Sequence, residues 1–551
     1  MSDSDLSFWG WGYAEKFPGE AERDELATRM ETMLGFPERP RLDPPALSDV
    51  EIPESSVTVP DHLTEVCSTA TEDRIRHTYG SGYRDLVRGF HGDFSSAPDV
   101  VAEPTGEDEI RAILDWATDE RIAVVPYGGG TSVVAGVECD PDGDGSGYAG
   151  VLSLDLRELD QVLEVDEHSR TAKIQAGATG PQINDQLREH GLQLRHYPQS
   201  YEFSTLGGWI ATRAGGHFAT VYTHIDDFVE NVRMLTPSGE FESRRLPASG
   251  AGPDPDRLVL GSEGALGVIT EGWLRVQPRP PYRARATVRF SDFGAAVDAT
   301  REIVQARLYP ANCRLLDSRE AMMNEVAMDG SHVLVLGFES TDHPVDDDLA
   351  RALEIAEDHG GTVSGDPSYE GPHREDDATA GGDEASGGDR DDEEGDWRSA
   401  FFEAPYKFNA LVSLGVIVDT FETAVTWDQF DRLHEEITEQ VTATMEDECG
   451  AGFLSCRFTH VYPDGPAPYY TLLAPADVGR ELEQWREIKA TASDVIEEYG
   501  GTITHHHAVG RTHREWYETE SPDEFRDALH AAKDRLDPAG IMNPGALLDE
   551  R

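Results

Sequence analysis

At 551 residues the chain is too long for one hydrophobic core, so two or three domains are expected. It carries 106 acidic against 46 basic residues, a formal net charge of −60, which disfavours nucleic acid and anionic membrane surfaces as partners. Five cysteines, Cys67, Cys139, Cys313, Cys449 and Cys456, lack metal-type spacing and fit a reduced cytosol better than a disulfide framework.

The acidity is not a tail. The densest stretch, Glu375 to Asp396, holds 11 of the carboxylates, so the excess is spread over the whole chain. Such a surface repels itself in dilute salt and is relieved by screening. The reading is adaptation to a salt-filled cytoplasm, as in extreme halophiles. Met1-Ser2-Asp3-Ser4-Asp5 has no basic leader, no apolar run approaches membrane-spanning length, and Asp549-Glu550-Arg551 is no lipidation or peroxisomal signal. A cytoplasmic protein without an integral membrane segment is expected.

Residues 1–92 form a Pro- and acid-rich N-terminal segment whose aromatic cluster, Phe8-Trp9-Gly10-Trp11-Gly12-Tyr13, reads as a packing plug. Over 93–280 the rhythm is β-α-β. Asp99-Val100-Val101 reads as a short strand, Thr105 with Asp108 as a capping box, and Ile110, Ile113, Leu114 and Ala117 as one helical face. The apolar run Ile122-Ala123-Val124-Val125 predicts a buried strand. It leads into Pro126-Tyr127-Gly128-Gly129-Gly130-Thr131-Ser132-Val133. Glycines after a strand let backbone N–H groups approach a bulky anion, and the hydroxyls of Thr131 and Ser132 add donors. The loop lacks the Gly-Lys-Ser/Thr of a P-loop and the third glycine of G-x-G-x-x-G.

Further strands are predicted at Val151–Leu154, Val162–Val165 and Ala172–Gln175, and a helix at about Pro181–His190. A second glycine block runs from Ser204-Thr205-Leu206-Gly207-Gly208 through Thr212 to Ala214-Gly215-Gly216. A third is Gly261-Ser262-Glu263-Gly264-Ala265-Leu266-Gly267-Val268-Ile269. Three such blocks in one unit suggest a long, bent cofactor contacted from several loops. After Pro278-Arg279-Pro280-Pro281 a second α+β domain is expected over 281–463, with a strand at Val333–Gly337 and an acidic disordered insertion at 365–396. The last segment, 464–551, has an amphipathic helix around Leu482–Tyr499 and the run His505-His506-His507.

These motifs resemble the flavin-contacting loops of the PCMH-type, or vanillyl-alcohol-oxidase, flavoproteins, and within them the alkyldihydroxyacetonephosphate synthase branch. The resemblance runs from Trp9–Tyr13 through Glu202–Trp209 to His505–His507. It implies noncovalent FAD, because the Gly128–Val133 loop has no histidine, although His217 stays open as an attachment point. The implied fold is α+β: a FAD-binding domain of two α+β subdomains, an α+β cap over the flavin ring, and a C-terminal segment returning to the flavin. The implied reaction exchanges the acyl group of acyl-dihydroxyacetone phosphate for a fatty alcohol at flavin N5, without net redox change. Relatives that oxidise 2-hydroxy acids or related alcohols keep a dehydrogenase or oxidase as the alternative. A flavin-binding protein without catalysis is a third reading.

The histidine run is the sharpest catalytic candidate. On a strand consecutive side chains alternate faces, so at most His505 and His507 would point together, and no partner carboxylate is legible. No metal is assigned; surface histidines or acid/base groups remain. The resemblance gives Tyr469 a proton-moving role and makes Arg314 and Arg511 candidates for pairing with a small anionic substrate. One departure stands out: Phe408 occupies the position where the family carries an acyl-binding arginine, and Lys407 is the nearest substitute. Relatives are often dimers, so a homodimer is also considered.

Overall fold

The computed structural model describes residues 6–139, 147–372 and 405–549. Most of the acidic insertion therefore lies outside the described residues, yet its predicted start does not hold. A strand runs over Thr362–Glu370, through the first residues of the stretch read as disordered.

Three sheets carry the described residues. The first has four strands, β1 (Cys67–Ser68), β2 (Val100–Ala102), β3 (Ile122–Tyr127) and β4 (Gly150–Asp155), in the order β1-β2-β4-β3. β2 and β3 both run parallel to β4. Ile122, Ala123, Val124 and Val125 are wholly buried. A strand covered on both faces needs no alternation, which is why this run is apolar throughout. Each such Ile or Val contributes about 1.5–3 kcal/mol on burial. Because β1 lies inside the N-terminal segment, the first sheet starts before residue 93. The helix between β2 and β3, Glu107–Glu120, buries the predicted face but is capped differently. Gly106 is its N-cap, and Thr105 bonds Glu109 through both N–H and hydroxyl, at 2.7 and 2.9 Å.

The second sheet is antiparallel: β5 (Val162–Asp166), β6 (Thr171–Gln175), β7 (Val229–Thr236), β8 (Gly239–Glu242) and β9 (Val268–Arg275), in the order β5-β6-β9-β7-β8. The third has seven strands, β10 (Tyr282–Phe290), β11 (Asn312–Leu316), β12 (His332–Ser340), β13 (Thr362–Glu370), β14 (Val416–Glu422), β15 (Phe453–Val461) and β16 (Pro466–Pro475). Its order is β13-β10-β12-β11-β15-β16-β14, and the largest apolar cluster packs against it. The expected boundary at 463/464 falls in the turn of the β15–β16 hairpin, so β16 belongs to the cap sheet.

Two long-range ties bring the sheets around one cavity. The chain end returns beside β3, with Val124 N–H donating to Ile541 O at 2.7 Å and Asn543 N–H to Val124 O at 2.8 Å. The N-terminal aromatic cluster packs as predicted, Trp9 against Phe90 and Trp11 against Phe203. It also reaches the cap: the Asn409 amide bonds both N–H and C=O of Trp11 at 2.9 Å. Among the described residues no helix is long and apolar enough to cross a membrane.

Candidate active site

The three glycine blocks form walls of one cavity. A Cβ at Gly129 would collide with the carbonyl of Phe203, and one at Gly128 with the hydroxyl of Thr205. Gly130 has φ +64°, a left-handed conformation that side chains disfavour. The first loop thus lies directly on the second, and only glycine allows the approach. Every residue from Pro126 to Val133 lines the cavity, as do Ser204, Thr205, Gly207, Gly208, Thr212, Ala214, Gly215, Gly216, Glu263, Gly264, Gly267 and Ile269. Leu266 and Val268 do not. Both are wholly buried in the cores behind it, because alternation along the start of β9 turns Ile269 to the cavity and Val268 away. The sequence reading missed Pro198, Gln199 and Ser200, which line the same wall without any glycine signature.

The opposite wall is the cap sheet. In its register Glu422 on β14 faces Tyr469 on β16, and Tyr469 faces Arg457 on β15, so three functional side chains form one row across adjacent strands. Tyr469 lines the cavity and donates its hydroxyl to Thr420 Oγ1 at 2.9 Å. Burial raises its phenol pKa, while the Arg457 guanidinium, 4.1 Å from the ring centroid, pulls the other way. Arg457 is in turn held by an ion pair to buried Glu320, whose other oxygen accepts from Ser455 Oγ at 2.5 Å. Arg314 on β11 also lines the cavity, and its Nη2 donates to His217 O at 2.9 Å.

The histidine run is not a strand but a tight turn wrapped around Glu422. The two oxygens of this buried carboxylate accept the backbone N–H groups of His505, His506 and His507, at 2.8, 3.0 and 3.0 Å. Thr504 Oγ1 adds a fourth bond at 2.6 Å. The adjacent rings and these donors hold Glu422 well below the usual carboxylate range against the opposing effect of burial. The expected pairing of His505 with His507 is therefore corrected. His505 Nδ1 and His506 Nδ1 are 3.0 Å apart, and ring nitrogens of His460, His505 and His506 lie within 4.8 Å of one another. His506 and His507 line the cavity; His505 stands behind them. Burial pushes the His507 ring down to about 3, so it is neutral at physiological pH.

Two other assignments change. Arg511 does not line the cavity. Its guanidinium donates to Ala135 O at 2.8 Å and Pro544 O at 2.7 Å, clamping the chain end onto the glycine loop. The carboxylate of Glu263 is taken by the N–H groups of Val509 and Gly510, at 2.8 and 2.7 Å, and burial raises it to about 7. It ties the third glycine block to the segment after the histidines. Lys407 is exposed and Phe408 packs against the cap core; neither lines the cavity.

A glycine-lined trough closed by polar side chains of the cap strands β11, β15 and β16 fits a long dinucleotide cofactor, with backbone N–H groups and the Thr131, Ser132 and Thr205 hydroxyls as donors. Comparison with known proteins agrees. Residues 98–243 match the FAD binding domain model, and 279–547 match the model of FAD linked oxidases, C-terminal domain. Alkyldihydroxyacetonephosphate synthase of Dictyostelium discoideum is 30% identical over 481 residues, covering 86% of this chain and 77% of that protein. Glycolate oxidase subunit GlcD of Bacillus subtilis is 26% identical, covering 82% and 90%. A solved alkyldihydroxyacetonephosphate synthase shares the fold with a TM-score of 0.78 at 24% identity, covering 98% of this chain and 99% of the other. The chain belongs to the FAD-linked oxidase family of flavoenzymes, with FAD as its cofactor.

Proposed function

We propose that the chain is an alkyldihydroxyacetonephosphate synthase-like enzyme with noncovalent FAD, acting on an anionic, acyl-bearing substrate. The observation that carries this reading is that Tyr469, His506, His507 and Arg314 line the same cavity as the glycine loops. FAD, when bound, supplies an electrophilic N5 at which an acyl group and a fatty alcohol exchange. The chain's own residues do the rest. Arg314, buried, and Arg457, half-buried, line the cavity with two guanidinium groups that orient a phosphate or carboxylate. The Tyr469 hydroxyl, with a cation on its ring, holds or moves a proton at Oη. Neutral His507 accepts one. His217 supports noncovalent attachment, since its Nδ1 lies 3.1 Å from Arg314 Nη2 and it does not line the cavity.

The second reading, oxidation of a 2-hydroxy acid, is favoured by Phe408, which removes the family's acyl-binding arginine. Incubating the flavin-loaded enzyme with acyl-dihydroxyacetone phosphate and a labelled fatty alcohol separates the two. Labelled ether product supports the synthase reading. Absence of product, together with flavin bleaching by a 2-hydroxy acid, replaces it with the dehydrogenase.

A further inference from the structure

We infer that Tyr462, His505 and His506 form a proton relay that joins the flavin cavity to a separate groove. The inference rests on the reading of the cavity as a flavin active site. The groove, about 610 Å³, is lined by Tyr462, Asp464, Thr502, Trp516 and Glu520 among others, and shares no lining residue with the cavity. His506 lines the cavity and Tyr462 the groove. His505, whose side chain is 6% exposed, stands between them.

Hydrogen positions along this path follow from its two ends. At one end, His224 Nε2 lies 3.0 Å from the carbonyl of His505, which can only accept, so that nitrogen carries the hydrogen. Burial holds His224 below the ordinary range, so its ring is neutral and Nδ1 is bare. Nδ1 then accepts from the Thr223 hydroxyl at 3.2 Å. Thr223 Oγ1 accepts from the Tyr462 hydroxyl at 3.3 Å. Tyr462 has no second hydrogen, so at 2.7 Å it accepts from His505 Nε2. Neutral His505 then offers a bare Nδ1 to His506 Nδ1 at 3.0 Å. At the other end, His506 Nδ1 lies 3.3 Å from a Glu422 oxygen. A carboxylate also only accepts, so the hydrogen of His506 is on Nδ1. Both ends give the same direction, from cavity to groove.

One proton therefore crosses without any group being left charged. His506 takes a substrate proton on Nε2 and passes its Nδ1 hydrogen to His505 Nδ1. The Nε2 hydrogen of His505 goes to Tyr462 Oη, and the original hydroxyl hydrogen of Tyr462, turned from Thr223 Oγ1 towards the groove that Tyr462 lines, leaves to water there. One N–H or O–H bond breaks for each that forms, and no electrons are transferred.

The test uses the full flavin-loaded chain with Tyr462→Phe. The variant is expected to lose about tenfold or more in kcat at unchanged KM for acyl-dihydroxyacetone phosphate, and added imidazole restores part of the loss. Turnover within about twofold of the parent overturns the relay, and so does a loss that imidazole leaves untouched, since a structural role has no chemical rescue. A substrate-independent measurement is the ring spectrum of the 15N-histidine-labelled chain. The relay requires hydrogen on Nε2 of His224 and His505 and on Nδ1 of His506; opposite tautomers contradict it. Tight binding of zinc, added as its chloride, to His460, His505 and His506 also contradicts it, because the metal occupies His505 Nδ1. A parent enzyme that makes no ether product refutes the proposed reaction, while the tautomers still decide the relay.

Discussion

The guanidinium carbon of Arg457 lies 4.1 Å from the centroid of the Tyr469 ring. A cation at that distance from a buried phenol stabilises its phenolate, the form burial disfavours. Arg457→Gln is therefore expected to raise the Tyr469 pKa further. Turnover at neutral pH falls about tenfold or more, and the alkaline limb of the kcat profile moves to higher pH. Tyr469→Phe gives a loss at least as large with no recovery at alkaline pH. An unmoved profile in Arg457→Gln would show that the stacking has no electrostatic role.

Buried Glu422 gathers three backbone N–H groups and a hydroxyl. Glu422→Gln turns an N–H₂ toward donors and is expected to cost about 3 kcal/mol of stability. Urea unfolding of parent and variant measures it. The loss of flavin-dependent turnover should exceed the loss of flavin binding, because the histidine turn, not the glycine trough, comes apart.

Much of this site was legible in the sequence, and the misses share one cause. The glycine loops announce themselves by residue type, since close backbone approach excludes every other side chain. Glu422 and Arg457 could not be picked out among 106 acidic and 46 basic residues. They matter because strand register sets both beside Tyr469, and register depends on pairings 47 and 12 residues apart in sequence. The histidine run was misread for a related reason. A strand and a tight turn around a buried carboxylate look alike until the carboxylate is found. Arg511 shows the converse, a residue of suggestive type whose guanidinium donates to Ala135 O after the glycine loop and to Asn543 and Pro544 of the returning chain end.

Gly129→Ala tests the trough. Its new methyl group meets the Phe203 carbonyl, so the two loops must separate. The purified variant is expected to carry little or no flavin by its visible absorbance, while far-UV circular dichroism stays close to that of the parent. Full flavin content would contradict the close loop contact.

His434 provides a pH test away from the site. Burial holds its ring at about 4 against an ordinary 6.5, and its Nδ1 lies 3.1 Å from Tyr470 OH. A depressed folded-state value means that the unfolded chain binds the proton first as pH falls. The stability is thus fully present above pH 6.5 and is lost on acidification towards 4. Between pH 7 and 5 this group costs the parent about 2 kcal/mol that His434→Leu does not lose, so the stability difference between the two narrows by that amount. A constant difference would mean that His434 titrates normally.

With a net charge of −60, the folded chain repels itself in dilute solution. Molar potassium chloride, which shortens the screening length to about 3 Å, is expected to raise the unfolding temperature by many degrees over 0.1 M salt. Calorimetry at both concentrations checks this, and an unchanged midpoint would remove the electrostatic argument.

The most direct measurement of the central claim is the anaerobic visible spectrum of the enzyme purified in high salt, taken with acyl-dihydroxyacetone phosphate and a fatty alcohol and then with a panel of 2-hydroxy acids. The account predicts a bound flavin that the hydroxy acids leave oxidised, and an ether lipid product from the first pair of substrates. Bleaching by a hydroxy acid without ether formation would contradict the synthase reading, and a colourless protein would contradict the flavoenzyme itself.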